Sequence, residues 1–298
     1  LPQSQIAQKQ KMKLTPSNSI TAAKLLESVL PREANASKRD FGHLLLVCGS
    51  SLMPGAAILA TAGALRSGCG LVTVHTPRSV TVPLVANYPS AMLSNETEEC
   101  FSSLPDGLER YDVVGVGCGL GKAARTVEAL GKLLAACSAQ SIPMVIDADA
   151  LNILAMHPEY RKSVPAGSVL TPHTGELQRL IGEWKDEKEL AAKCAALSSE
   201  LSSVVVVKGH NSAVCTPDGK LRFNTSGNAG MAKGGSGDIL TGFTAGLMAR
   251  GYSAEVAAML GVWVHGTAGD KAAEYYGEEA MNSADIIDFL GEALTEIK

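Results

Sequence analysis

Between positions 44 and 207 the chain repeatedly sets a short aliphatic run before a polar or glycine-bearing turn, and then often an alanine-rich stretch. The runs lie at 44–47, 71–75, 113–116, 144–146, 169–170 and 204–207, and the clearest helical stretches at 56–66 and 126–136. A strand wetted on one side alternates apolar with polar residues, whereas an unbroken apolar run needs cover on both faces. Strands spaced by helices pair in parallel through crossovers. The pattern therefore predicts an α/β fold, a mostly parallel central sheet with helices on both faces.

Five turns follow these runs: Gly49-Ser50-Ser51, the stretch 115–121, Asp147-Ala148-Asp149, Thr171-Pro172-His173 and Lys208-Gly209-His210. Ligands of open parallel sheets bind outside the carboxyl ends of the strands. The five turns are thus expected on one rim, and that rim is the expected site.

Composition narrows the class. Hydrophobic residues make up 46% and the 30 glycines fall in clusters without a period, which excludes disordered and collagen-like chains. A formal charge of -4, from 26 basic and 30 acidic residues without long blocks, argues against a nucleic-acid partner. The longest apolar runs are strand-sized, so no membrane-crossing helix is expected. Seven cysteines, an odd number with no CxxC spacing, read as reduced and mostly buried thiols, with no zinc site and a reducing, cytoplasmic compartment. Residues 1–17 lack the apolar core of a secretory signal and read as a flexible extension or tag remnant. Residues 18–298 are expected to form a single domain, opening with a helix over 20–30 that Pro31 stops.

The strongest local signal is the segment from Asn228 to Asp238, with Gly230, Gly234, Gly235 and Gly237 inside eight residues and a helical stretch after it. Small residues let backbone amides approach an anion, and a helix places its positive end on the same point. Gly235, Ser236 and Gly237 are the expected anion hole, and Asp238, in the first helical turn, the expected general base for a substrate hydroxyl. A purely structural role, Asp238 capping its helix while Gly242 and Gly246 pack against the sheet, needs one polar residue and leaves the four glycines unexplained.

The loop 115–123 is glycine-rich, yet it lacks both the third glycine of the dinucleotide fingerprint and the serine or threonine that follows a P-loop lysine. Lys208, Gly209, His210, Asn211 and Ser212 follow the most β-branched run and suit a phosphate and a ribose, although a solvated hairpin turn accounts equally well for His210. His173 stands at another strand end, where Pro172 disfavours helix and Glu176 is expected to start the next one. Asp147 and Asp149 are candidates for positioning water or Mg²⁺, or for bonding loop amides alone.

These segments carry a resemblance. Gly49-Ser50-Ser51-Leu52-Met53-Pro54-Gly55-Ala56-Ala57, Ala64-Leu65-Arg66-Ser67-Gly68-Cys69-Gly70, Asp147-Ala148-Asp149-Ala150-Leu151-Asn152, Thr171-Pro172-His173-Thr174-Gly175-Glu176, Lys208-Gly209 and the Asn228 to Asp238 segment appear in this order. Together they resemble the NAD(P)H-hydrate dehydratase family, which has the ribokinase-like fold, from about Phe41 to Gly251. Cys118 stands where that family usually has proline. The resemblance implies that Ala56, Gly119, His173 and Asp238 bind the hydrate. It likewise implies that Lys208, Gly209, His210, Asn211, Ser212 and Gly237 bind the nucleotide. It implies dehydration of the S form of NADHX or NADPHX, with ADP or ATP as phosphoryl donor, Mg²⁺, a homotetramer and functional pairing with an NAD(P)HX epimerase. The chain resembles a stand-alone dehydratase or one half of a bifunctional repair enzyme. The segments at 228–235 and 172–176 are similar to the bacterial branch, whose donor is ADP. Two other functions fit the same residues: a kinase of a small alcohol or vitamin precursor, and a nucleotide-binding regulator without turnover, which would need no base at Asp238.

Overall fold

The computed structural model describes residues 18–297, and the extension expected over residues 1–17 lies outside the described residues. A short helix α1 (Ala22–Leu26) precedes β1 (His43–Val47), α2 (Pro54–Arg66), β2 (Leu71–Pro77), α3 (Arg78–Asn87) and β3 (Met92–Glu96). The middle of the chain forms β4 (Val113–Val116), α4 (Ala124–Ala139), β5 (Met144–Ile146), α5 (Ala148–Met156), β6 (Val169–Leu170), α6 (Thr174–Ile181) and α7 (Glu187–Glu200). Then come β7 (Val204–Val207), β8 (Ala213–Cys215), β9 (Leu221–Phe223), α8 (Ser236–Ala249), α9 (Ala254–Tyr276) and α10 (Ser283–Thr295).

The nine strands of the described residues make one sheet in the order β3-β2-β1-β4-β5-β6-β7-β8-β9. The first seven strands pair in parallel, and β8 and β9 close one edge antiparallel. Successive side chains of a strand point to opposite faces, and both faces are covered. Leu44 and Leu46 enter one core with the inner sides of α2, α8, α9 and α10, while Leu45 and Val47 enter a second core with α4, α5, α6 and α7. The expected doubly covered, mostly parallel sheet is therefore the observed one.

Strand order reverses direction at the seam between β1 and β4, which places the crevice beyond their carboxyl ends. The two turns are stitched together there: the Gly49 amide donates to the Cys118 carbonyl at 2.7 Å and the Gly117 amide to the Val47 carbonyl at 3.3 Å. Helix α8 is driven toward this seam by its contact with α2. A Cβ on Gly242 would stand 1.8 Å from the Ala60 carbonyl oxygen, and one on Gly63 would stand 2.2 Å from the Ile239 carbonyl oxygen. The two backbones touch directly. Gly242 and Gly246 thus pack against α2, and not against the sheet.

Other differences have local causes. The helix expected over 20–30 is only the five residues of α1, because tertiary bonds claim the backbone beyond it. The Leu30 amide donates to the Tyr252 hydroxyl, and Arg250 holds the carbonyls of Leu30 and Pro31. Helix α6 starts at Thr174 and not at Glu176, since His173 caps it. Strands β3, β8 and β9 escape the apolar-run rule, since β3 is largely exposed with Ser94 and Asn95 in it, and β8 and β9 form an antiparallel edge outside the repeat of strand and helix.

Gly242→Ala is expected to destabilise the protein by about 2 kcal/mol or more, because a methyl group cannot enter backbone contact without parting α2 from α8. Gly291→Ala in α10, with nothing within 4 Å of the new carbon, is expected to gain about 0.5 to 1 kcal/mol. Urea unfolding of both variants checks the pair; a neutral Gly242→Ala would contradict the described contact.

Candidate active site

The first turn of α8 projects into a cavity of about 660 Å³ at the carboxyl rim of the sheet. Gly235 precedes the helix with φ 100°, a backbone state that favours glycine, and a Cβ there would stand 2.4 Å from Leu59 Cδ1. The preceding segment is fastened to the far side of the cavity. Asn228 donates to the Gly269 carbonyl and to Asp270, and Lys233 donates to the carbonyls of Glu278, Glu279 and Met281. Lys233 is thereby occupied structurally. The Ser236 hydroxyl donates to the Met231 carbonyl at 2.8 Å and its amide to the Lys233 carbonyl at 3.5 Å, so both Ser236 donors are engaged and the expected anion hole keeps only the open amides of its two glycines. Among the described residues, no acceptor meets the amides of Gly235, Gly237 and Asp238. Unsatisfied first-turn amides with the positive end of a 14-residue helix behind them suit a phosphate.

Lys208 closes the opposite wall. It directly follows β7, and its amide donates to the Pro172 carbonyl, which brings the β6 and β7 turns together. Its ammonium lies 2.6 Å from Asp147 Oδ1 and 4.0 Å from Glu176 Oε2, and a Cβ on Gly237 would stand 3.2 Å from Nζ. Burial is the largest influence on this ammonium and draws its pKa down, but Asp147 and Glu176 together raise it above the usual lysine value. Lys208 therefore stays charged beside the open amides. Buried Glu176 also bonds His173, accepting from its amide at 2.9 Å and standing 3.2 Å from Nε2. His173 Nδ1 in turn accepts the amides of Gly175 and Glu176, so this exposed histidine is an N-cap as well as a rim residue.

Asp238 is half-buried in the first turn of α8. Loss of water raises its carboxyl pKa to about 6, with Asp147 and Asp149 adding to the rise and the thiol of Cys118 and the Lys208 ammonium opposing it. Burial keeps the Cys118 thiol protonated, so it can serve Asp238 only as a donor. A carboxylate with a pKa near 6 is ionised at neutral pH and still basic enough to accept a hydroxyl proton.

The cavity brings together Asp147, His173, Lys208, Gly209, His210, Ser212, Gly235, Ser236, Gly237 and Asp238. The turn from Lys208 to Ser212 is indeed a hairpin connection, joining β7 to antiparallel β8, and it lines the cavity all the same. Ala56, Gly119, Asn211 and Asp149 do not line it. Ala56 and Gly119 abut at the β1/β4 seam, where a Cβ on Gly119 would stand 2.7 Å from Ala56 Cβ. Asp238, beside Cys118, thus borders both the seam and the cavity. Asp149 accepts the Gly121 amide at 2.9 Å. Among the described residues, no group of three metal-ligating side chains occurs.

Three features in or directly behind the cavity wall were not read from the sequence. Thr241 donates to Asp147 Oδ2 at 2.6 Å, one helical turn beyond Asp238 on the same face of α8. Glu176 had been read only as the start of a helix. His265, buried in the wall on α9, is held neutral by burial at a pKa of about 4, and its Nε2 lacks a partner among the described residues.

Fold and rim together define a ribokinase-like protein. A solved ribokinase-like superfamily protein of Enterococcus faecalis superposes with a TM-score of 0.81 at 28% identity, over 96% of this chain and 99% of that one. The chain belongs to the NAD(P)H-hydrate dehydratase family, which residues 44–291 match. An ADP-dependent (S)-NAD(P)H-hydrate dehydratase of Neisseria meningitidis is 36% identical over 252 residues, 83% of this chain and 82% of that protein. A bifunctional NAD(P)H-hydrate repair enzyme of Moorella thermoacetica is 37% identical over 94% of this chain and 54% of its own length. The chain spans about half the length of the bifunctional relatives it matches. An ADP/ATP-dependent NAD(P)H-hydrate dehydratase of Bacillus subtilis, co-crystallised with ATP and Mg²⁺, superposes with a TM-score of 0.77 at 27% identity, covering 94% and 98% of the two chains.

The raised pKa of Asp238 has a sign that can be measured. An unfolded aspartate loses its proton near 3.8 and the folded one near 6, so the folded state binds the extra proton between those values. Asp238 then contributes stability that is fully present below pH 3.8 and lost as pH rises through 6. Asp238→Asn removes the charge and is expected to melt higher than the unmodified protein at pH 8, with the gain shrinking to nothing by pH 4. Thermal scans at pH 4, 6 and 8 check this; a constant difference would contradict the buried-carboxylate reading.

Proposed function

We propose that this chain catalyses the nucleotide-dependent dehydration of the S form of NADHX or NADPHX back to NADH or NADPH, with ADP as phosphoryl donor. One observation carries the reading: a carboxylate with a pKa near 6 shares the first turn of α8 with open amides and faces a charged lysine. A base and an anion hole at one point suit phosphorylation of a hydroxyl. Family membership and the ADP-dependent relative support the substrate and the donor.

Asp238 accepts the proton of the C6 hydroxyl as that oxygen attacks the terminal phosphorus of the donor, and the bond from phosphorus to the bridging oxygen breaks. With ADP the leaving group is AMP. The amides of Gly235 and Gly237 and the Lys208 ammonium offset charge on the transferring group. The ring nitrogen lone pair then expels inorganic phosphate from C6, and loss of a proton from C5 restores the dihydronicotinamide. Ala56, Gly119 and His173 are assigned to the hydrate; Gly209, His210, Asn211 and Ser212, with Lys208 and Gly237, are assigned to the nucleotide. Asp147 is committed to Lys208 and Thr241, and Asp149 to the Gly121 amide, so the donor set fits a Mg²⁺ ion held chiefly by phosphate oxygens and water. Such an ion would neutralise phosphate charge.

The same reading includes functional pairing with an NAD(P)HX epimerase, in keeping with the bifunctional relatives. It also includes a homotetramer, supported by the exposed apolar side chains of Val82, Val85, Met92 and Leu93 on α3 and β3, and a cytoplasmic location, supported by seven free thiols.

Asp238→Asn is expected to lower turnover by more than a hundredfold, followed as NADH absorbance at 340 nm, while ADP affinity measured by calorimetry changes less than threefold. Activity within tenfold of the unmodified enzyme, about 1.4 kcal/mol in barrier, would overturn the base assignment. Initial rates with nucleotides freed of one another are expected to give ADP the higher specificity constant. A clear preference for ATP would reverse the donor assignment and leave the dehydration standing.

A further inference from the structure

Asp147 is 1% exposed, and both its carboxylate oxygens are engaged. Oδ1 takes the Lys208 ammonium and Oδ2 takes the Thr241 hydroxyl, each at 2.6 Å. Thr241 is itself 1% exposed, so this hydroxyl has no access to bulk water. The backbone around Asp147 is held under constraint. Ala148, the next residue, has φ 48°, which is uncommon for a residue with a side chain. Gly117 has φ 128°, and the Asp147 carbonyl oxygen would stand 1.8 Å from a Cβ there. Strain of this kind persists only where the surroundings over-determine it, and it clusters at functional sites.

A lysine side chain is a flexible point charge with three donors. Left alone, the Lys208 ammonium would sample many positions. Asp147 claims one donor and Glu176 draws the same charge from 4.0 Å. The ammonium is thereby parked over Gly237, at the open amides of α8. Thr241 fixes the far oxygen of Asp147 and so the plane of the carboxylate.

We propose that Thr241 and Asp147 form a relay that positions the Lys208 ammonium at the N-terminus of α8 for the nucleotide's terminal phosphate, which makes both of them positioning residues for phosphate binding. The inference rests on the assignment of Lys208 to the nucleotide. It gives Asp147 a duty other than metal coordination, since a metal ion on that carboxylate would have to displace two short hydrogen bonds. The negative charge of Asp147 also keeps the buried lysine tolerable before a nucleotide arrives, because an isolated buried charge is costly.

Thr241→Val keeps the shape and removes the hydroxyl, and Thr241→Ser restores the hydroxyl without the methyl group. The test is calorimetric binding of ADP and of adenosine, each with Mg²⁺ and with EDTA. Thr241→Val is expected to bind ADP about tenfold more weakly or worse, equally with and without Mg²⁺, and adenosine with unchanged affinity. Thr241→Ser is expected to recover at least half of the loss on a logarithmic scale. In a Lys208→Met background, Thr241→Val is expected to cost no further ADP affinity. Unchanged ADP affinity in Thr241→Val overturns the relay, whatever its melting temperature. So does an equal loss for adenosine, which signals a distorted pocket, and so does a loss confined to Mg²⁺, which signals a metal ligand. If Thr241→Val does not fold, Asp147→Asn is read in the same arms. Failure of the unmodified protein to bind ADP would overturn the nucleotide assignment and the relay together; normal binding with an insensitive Thr241 would overturn the relay alone.

Discussion

The close approach of α8 to α2 is the constraint from which the site follows. Gly63, Gly242 and Gly246 let two helix backbones touch where side chains would hold them apart. That contact lets α8 end its first turn at the seam of β1 and β4, where the strand order reverses. A helix set a side chain's width farther out would present the same amides and the same Asp238 to solvent. Its positive end would then be screened by water, and the carboxyl would lose the burial that raises its pKa to about 6.

Around that helix end the charges are arranged in balance. Lys208 brings the cation, Asp147 and Glu176 bring the anions, and Asp238 stands near enough to feel Lys208 and Asp147. Buried charge of one sign alone would be expelled or neutralised. Here one lysine is shared among three carboxylates, which leaves open amides beside a carboxylate of raised pKa, as the proposed phosphoryl transfer requires. The amides are fixed in the fold before any ligand arrives, the arrangement that makes electrostatic stabilisation effective.

Much of this was legible in sequence, and the boundary has physical reasons. The runs at 44–47, 113–116, 144–146 and 204–207 are unbroken because their strands are covered twice, so the inner strands could be read directly. Strand β3, Met92 to Glu96, is an edge strand whose first four residues are exposed or half-buried, with Ser and Asn among them and a buried Glu96 at its end, and had no such signature. The glycines before Asp238 pointed to open amides at a helix start because one local segment supplies both the turn and the helix. Thr241 and Glu176 gave no comparable signal: each meets Asp147 or Lys208 only through the fold, across 94 residues of chain in the case of Thr241 and Asp147. His173 was read as a rim residue from its place after a strand, while its capping of α6 depends on a side-chain torsion that no pattern records. Gly242 and Gly246 were correctly read as close-packing positions in the structural alternative, but α2, and not the sheet, is what they approach.

The central claim is that phosphorylation of the C6 hydroxyl, with Asp238 as the base, leads to elimination and not to a stable phosphate ester. Phosphorus NMR of the reaction of the hydrate mixture with ADP and Mg²⁺ reads it directly. The account predicts equal amounts of AMP, inorganic phosphate and NADH, appearing together. A persistent phosphate ester of the hydrate with no inorganic phosphate would make the chain a kinase, and ADP that binds without being consumed would make it a regulator; either result would contradict the account.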